Sequence, residues 1–261
     1  MSNTPFQPTA GETTHWTGAR DIVHFVGVCG AGKTTLATLL AARCTSHGGK
    51  TIGTIDWDPH TADSDRQSER AFSREFDRIS NGGNDPDIHA KIVRHSIGLI
   101  NAWRRSDANL VLVDRWYESY DNLPAECLSS IELALSKSGF RVTIVNLLVT
   151  SQGGETEFEA MRERLAHTRG HRPANWWTPG MGTLDEMAHS ECAYQENYQD
   201  FCHRSPFAQI RLATTDMDWQ RCADVITGRI GSAGDQVKRH ARPWSAYRSG
   251  MSAPNLQVFK P

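Results

Sequence analysis

The chain has 261 residues, 38% apolar and 22% charged, with eight Trp. That suits one large α/β domain, or at most two small ones, and excludes a wholly disordered chain. Its 28 basic and 30 acidic residues leave a net charge of −2, which excludes a globally basic nucleic-acid binder. Residues 1–20 are polar and aperiodic, and are expected to form a flexible arm. Asp21–Val28 is a short apolar run that stops at glycines, as a buried strand does. Lys33–His47 carries Leu36, Leu39, Leu40 and Arg43 at helical spacing and ends at Gly48-Gly49. Thr51–Trp57 predicts a second strand, closing on Asp56, Asp58 and Pro59. Helices are expected over Asp63–Ser80 and Ile88–Arg105, separated by the loop Asn81–Pro86. Asn109–Val113 predicts a third strand, Pro124–Ser138 a helix and Phe140–Val149 a fourth strand. Gly154–Thr168 and Leu184–Arg204 are helical in pattern, and a strand at Phe207–Ala213 and a helix at Asp218–Ile230 follow. Strands alternating with helices imply a mostly parallel sheet of five strands with helices on both faces.

Neither a membrane span nor a secretory signal is expected. Val142–Val149, the densest apolar run, is far short of the ~20 residues a span needs, and Met1–Gly11 has no basic or apolar leader region. The six cysteines (Cys29, Cys44, Cys127, Cys192, Cys202 and Cys222) show neither C-x-x-C nor zinc-ligand spacing. Scattered single thiols fit a reducing compartment, so a cytoplasmic location is expected.

The most specific pattern is Gly27-Val28-Cys29-Gly30-Ala31-Gly32-Lys33-Thr34, followed by Thr35, which matches G-x-x-x-x-G-K-[ST]. It lies where the physics requires, after a strand and opening a helix. Its glycines let the backbone wrap phosphate oxygens, and the helix N-terminus adds partial positive charge. Lys33 suits the β- and γ-phosphates of ATP, and the Thr34 hydroxyl suits Mg²⁺. Gly27, Cys29, Gly30, Ala31, Gly32, Lys33, Thr34 and Thr35 are therefore the expected nucleotide-binding residues of a three-layer phosphate-loop NTPase fold. The second pattern is Val111–Ser119. There an apolar strand delivers Asp114 to the sheet's carboxyl end, to hold Mg²⁺ or accept a hydroxyl proton. Arg115 follows, with a guanidinium fork suited to an acceptor phosphate.

Together V-C-G-A-G-K-T-T at 28–35 and D-R-W-Y-E-S at 114–119 resemble the thymidylate-kinase-like branch of the nucleoside monophosphate kinases. The resemblance spans about residues 20–231. It implies a kinase domain over 21–231, with a lid at about 155–182 and a basic tail over 232–261. In that family's terms Glu157–Arg172 resembles the mobile lid, Glu191, Tyr194, Tyr198 and Phe201 the helix after it, and Leu212–Ile230 the adenine-side element. Arg94 matches the acceptor-phosphate arginine, although a solvated helix arginine fits the residues equally well. Cys29 stands where thymidylate kinases carry an acidic residue, so dTMP does not follow as the acceptor.

The lid arginines Arg162, Arg164, Arg169 and Arg172 are candidates for stabilising the transferring phosphoryl, with Arg164 and Arg169 assigned as catalytic. Asp56, Asp58, Arg94, Arg115 and Tyr117 are the candidate acceptor-binding residues. Trp116, Tyr117, Trp176 and Trp177 are candidates for base stacking, with core packing as the alternative. Arg66, Arg70, Arg74 and Arg78 form a helical row that fits either a solvated face or nucleic acid. The tail, with Lys238, Arg239, Arg242, Arg248 and Lys260 against Asp235, leaves the same choice, or a partner chain such as a second copy.

The expected function is ATP- and Mg²⁺-dependent phosphoryl transfer to a nucleotide or nucleotide-like acceptor, including a modified base in DNA. Two alternatives stay open. One is a nucleotide switch resembling ParA-like or signal-recognition NTPases, the other a hydroxyl kinase of the adenylylsulfate-kinase type.

Overall fold

The computed structural model describes residues 20–56, 86–114, 116, 123–171 and 182–231. The predicted helix at 63–80 with its arginine row, Asp58, Arg115, Tyr117, Arg172, Trp176, Trp177 and the C-terminal tail lie outside the described residues.

Among the described residues five strands form one sheet: β1 (Asp21–Gly27), β2 (Thr51–Asp56), β3 (Leu110–Asp114), β4 (Arg141–Leu148) and β5 (Ala208–Ala213). Their order is β2-β3-β1-β4-β5, and every pairing is parallel. Among the described residues six helices flank them: α1 (Lys33–Ser46), α2 (Pro86–Arg105), α3 (Ala125–Ser136), α4 (Glu157–His171), α5 (Leu184–Arg204) and α6 (Trp219–Gly231), the last following β5.

The central strands are apolar on both sides because both sides are covered. On one face Val23, Phe25, Leu110, Leu112, Val145 and Leu147 pack with α1, α4, α6 and Ala188 of α5. On the other, Ile22, Val26, Val111, Val113 and Ile144 pack with α2, α3, Phe201 and Cys202. Adjacent strands β1 and β3 thus send their following helices, α1 and α3, to opposite faces. The carboxyl ends of strands that diverge in this way are the usual ligand position in an open α/β sheet. Among the described residues no helix is long and apolar enough to cross a membrane.

Arg20, placed in the flexible arm, is fixed: its guanidinium donates to the carbonyls of Ala108, Arg104, Trp103 and Ser106 and lies 4.1 Å from the Phe140 ring centroid. It caps the C-terminal end of α2, whose last carbonyls have no helical partner. The first part of the expected lid segment is α4, in line with the helix expected over Gly154–Thr168. Ala160, Met161, Arg164 and Leu165 of α4 are buried, at the spacing that lays one helical face on the sheet layer.

Candidate active site

The loop after β1 is shaped by three glycines whose replacement would meet other parts of the chain. A Cβ on Gly27 would lie 2.7 Å from the Leu147 carbonyl oxygen of β4. Gly30 and Gly32 have φ of +74° and +93°, which an L side chain rarely adopts. Their Cβ positions fall 2.3 Å from Thr168 Oγ1 and 2.2 Å from the Trp219 ring. Backbone therefore runs directly beneath α4 and the start of α6. Gly32 is the N-cap of α1, and no side chain caps that helix, leaving its first amides to the loop. An anion is the natural partner for such an end.

Lys33 lies over the loop's first residues. It is 6% exposed, and Nζ donates to the carbonyls of Gly27 at 2.7 Å and Val28 at 2.9 Å. Its charge is held at the loop rather than left to sample solvent. The Thr34 hydroxyl donates to Asp114 Oδ2 at 3.1 Å, and Asp114 is 3% exposed at the end of β3. The β1–β3 register pairs Phe25 with Asp114, which sets that carboxylate beside the loop. Asp56, by its backbone, pairs with Asp114 from β2. A hydroxyl beside a buried carboxylate fits Mg²⁺, which typically takes one or two protein oxygens and completes its shell with phosphate and water.

Arg164 is not at a lid tip. It is 4% exposed, and its guanidinium donates to the carbonyls of Gly30 (3.0 Å), Thr214 and Thr215 (3.1 Å). It also stands 5.5 Å from the Trp219 ring centroid. Burial pushes its pKa below the usual arginine value, while Asp216 and Glu163 oppose that shift. Arg164 thus braces the glycine loop against the β5–α6 connection.

The other cations are placed differently. Arg162 is exposed and paired with Asp185 of α5 at 2.5 Å. Arg169 is exposed near the end of α4, and Arg94 is exposed on α2. Trp116 is buried among Trp103, His24 and the second core cluster, which makes it a packing residue and not a stacking platform.

Sequence reasoning assigned no specific contact to several residues that build the site. Glu191 of α5 accepts a hydrogen bond from the Cys29 backbone N–H, 2.8 Å from Oε2. Gln195, one turn on and 3% exposed, accepts from Val149 N at 2.8 Å and donates to Val149 O at 3.0 Å. Thr168 and Trp219 form the walls against Gly30 and Gly32. A signal for the first two lies in α5, where Ala188, Glu191, Gln195, Tyr198 and Cys202 recur at helical spacing. Two polar residues interrupt a face that otherwise belongs to the core.

No family model matches the chain, and no curated protein matches it. Among solved structures it is similar to that of APE1195, at 13% identity and a TM-score of 0.43 over 83% of this chain and 97% of that one. It is also similar to the APS kinase CysC of Mycobacterium tuberculosis. A cysteine-to-alanine mutant of that protein gives 14% identity and a TM-score of 0.31, over 68% of this chain and 99% of that chain. The complex of the same kinase with AMPPNP and APS gives 15% and 0.31, over 68% and 98%. These are likenesses of fold between distant sequences.

Proposed function

We propose that the chain is an ATP-dependent phosphotransferase whose acceptor is nucleotide-like. The observation that carries this reading is the Thr34–Asp114 contact directly after a glycine loop that holds Lys33 across its own carbonyls. In this reading the loop amides and Lys33 bind the triphosphate, and the Trp219 ring beside Gly32 offers an apolar edge to the base. Arg164 keeps the loop in its phosphate-binding shape without touching the transferring group. Thr34 and Asp114 would hold Mg²⁺, which when bound neutralises charge on the β- and γ-oxygens. The chain's own contribution is then positioning and fixed electrostatics, which phosphoryl transfer mainly requires.

The test is an acceptor screen with γ-labelled ATP over nucleosides, nucleoside monophosphates and DNA carrying hydroxymethylated bases. Label moving to an acceptor in proportion to ADP formed supports the reading, and Lys33→Ala should abolish it with the fold intact. Slow hydrolysis that responds to a protein partner, with no labelled acceptor, would instead identify a nucleotide switch.

A further inference from the structure

His167 and His171 lie one turn apart at the end of α4, and both are exposed. Their rings stack, with centroids 4.1 Å apart and planes 28° from parallel. Residues four apart on a helix share one face, so the two imidazoles stand side by side toward solvent. The backbone sets the tautomer of one ring. His171 Nδ1 lies 2.7 Å from the His167 carbonyl oxygen. A carbonyl only accepts, so Nδ1 carries the proton and the lone pair is on Nε2, at the far edge of the ring. A backbone carbonyl behind the imidazole is a common support of a metal-binding histidine. The charge around the pair also favours a cation. His171 closes α4, where the last carbonyls carry the negative end of the helix dipole. Glu163, exposed one turn before His167, adds a carboxylate on the same face. Arg169, two residues from each ring, falls on the other side by helical periodicity.

We propose that His167 and His171 together chelate a late first-row divalent cation, of the class of Zn²⁺, Ni²⁺ and Cu²⁺. The site is separate from the Thr34–Asp114 pair and does not depend on the phosphotransferase reading. A tetrahedral ion held about 2.0–2.1 Å from each of two nitrogens needs them about 3.4 Å apart, a span that stacked rings at this spacing reach with small side-chain rotations. Imidazole nitrogen selects these metals over Mg²⁺, which takes oxygen. Among the described residues no cluster of three ligating side chains occurs, so water completes the coordination. The bound ion ties residue 167 to residue 171 and so holds the last turn of α4. That turn includes Thr168, which stands against Gly30. The clamp therefore acts on the helix end that abuts the glycine loop.

The test uses the full chain without an affinity tag. Titration calorimetry with Ni²⁺, Zn²⁺ and Mg²⁺ compares wild type, His167→Ala, His171→Ala and, as a control, His203→Ala, which removes an exposed histidine at the end of α5. All four should melt alike without metal, since the changes are at the surface. Wild type and His203→Ala should bind one Ni²⁺ or Zn²⁺ at the pair, reversed by EDTA. Affinity should fall about tenfold or more in either variant of the pair, and Mg²⁺ should show no such dependence. Ni²⁺ should also slow amide hydrogen exchange about fivefold in the last turn of α4 in wild type and not in His171→Ala. Absence of Ni²⁺ and Zn²⁺ binding by wild type overturns the proposal. Binding that is unchanged in His171→Ala overturns it too, and would place the ion on another of the eleven histidines or on a thiol. Exchange that slows elsewhere but not in that turn overturns the clamp.

Discussion

Thr34 Oγ1 lies 3.1 Å from Asp114 Oδ2, joining the first turn of α1 to the last residue of β3 across 80 positions of sequence. In the proposed reading this contact makes two separate motifs into one site, because neither a loop hydroxyl nor a strand-end carboxylate holds a divalent cation well alone. Asp114→Asn keeps the shape and removes the charge. It should lower the transfer rate by about a hundredfold or more while nucleotide binding measured without Mg²⁺ stays near wild type. Chelation by EDTA should reproduce the loss in wild type and add little in the variant. Titration calorimetry with and without Mg²⁺, beside turnover, checks both. An Asp114→Asn enzyme with an unchanged metal requirement would show that the carboxylate serves another purpose.

Arg164 should behave as a structural brace, in contrast to Arg169. Arg164→Ala leaves the Gly30, Thr214 and Thr215 carbonyls without their guanidinium, at a cost of about 2–4 kcal/mol. Lysine should recover only part, since a single ammonium cannot match a planar fork over three carbonyls. Arg169→Ala, at an exposed position, should leave the melting temperature within a degree or two, because surface substitutions rarely exceed about 0.5 kcal/mol. Differential scanning calorimetry of the three variants separates the roles. A fully stable Arg164→Ala protein would return that arginine to the lid.

Gly32 and Trp219 offer a cleaner separation of strain from crowding. Gly32→Ala suffers from both the φ of +93° and a ring carbon 2.2 Å from the new Cβ. The backbone term alone is about 1–2 kcal/mol. Removing the ring with Trp219→Ala should therefore shrink the cost of Gly32→Ala to about that range and not to zero. Denaturant midpoints for both singles and the double variant complete the cycle. If Gly32→Ala costs the same with and without the ring, crowding is not what requires glycine there.

The elements that carry an unbroken local pattern are legible in the amino-acid order alone. β1, α1 and the start of α5 at Leu184 fall within a residue of expectation, because apolar spacing, glycine stops and the Thr183–Glu186 capping box are all short-range. Asp114 is legible for the same reason, as the first charge after an apolar strand. What stays concealed depends on contacts between distant segments. Arg164 reads as one of several lid arginines until α4 is seen docked beneath its neighbours, where the three carbonyls it serves come from residues 30, 214 and 215. Trp116 reads as a candidate for base stacking, with core packing as the alternative, until Trp103 and His24 are found around it. Glu191 and Gln195 are visible as polar interruptions of a helical face, but only the crossing of α5 over the end of β4 shows what they satisfy. Local periodicity reports the burial of a face and is silent about which carbonyl or amide lies across from it.

Cys44 supplies a prediction about pH. The thiol is fully buried on α1, and desolvation, followed by the nearby charge of Asp21, pushes its pKa from the ordinary 9.0 to about 11. The folded value lies above the unfolded one, so folding favours the neutral thiol. That contribution to stability is complete below about pH 9 and is lost as pH rises through about 11. Two outcomes follow. In native protein at about pH 8.5, iodoacetamide should spare Cys44, because the reactive species is the thiolate and the site is closed to solvent. Half-buried Cys127 and Cys192 should label first, although burial also raises their thiols. Cys44→Ser, whose hydroxyl does not ionise in this range, should lose less stability than wild type between pH 9 and pH 11. Peptide-mapped labelling and denaturant midpoints across that interval provide the measurement. Early modification of Cys44 in folded protein, or equal losses for both chains, would show that its surroundings do not hold the thiol neutral.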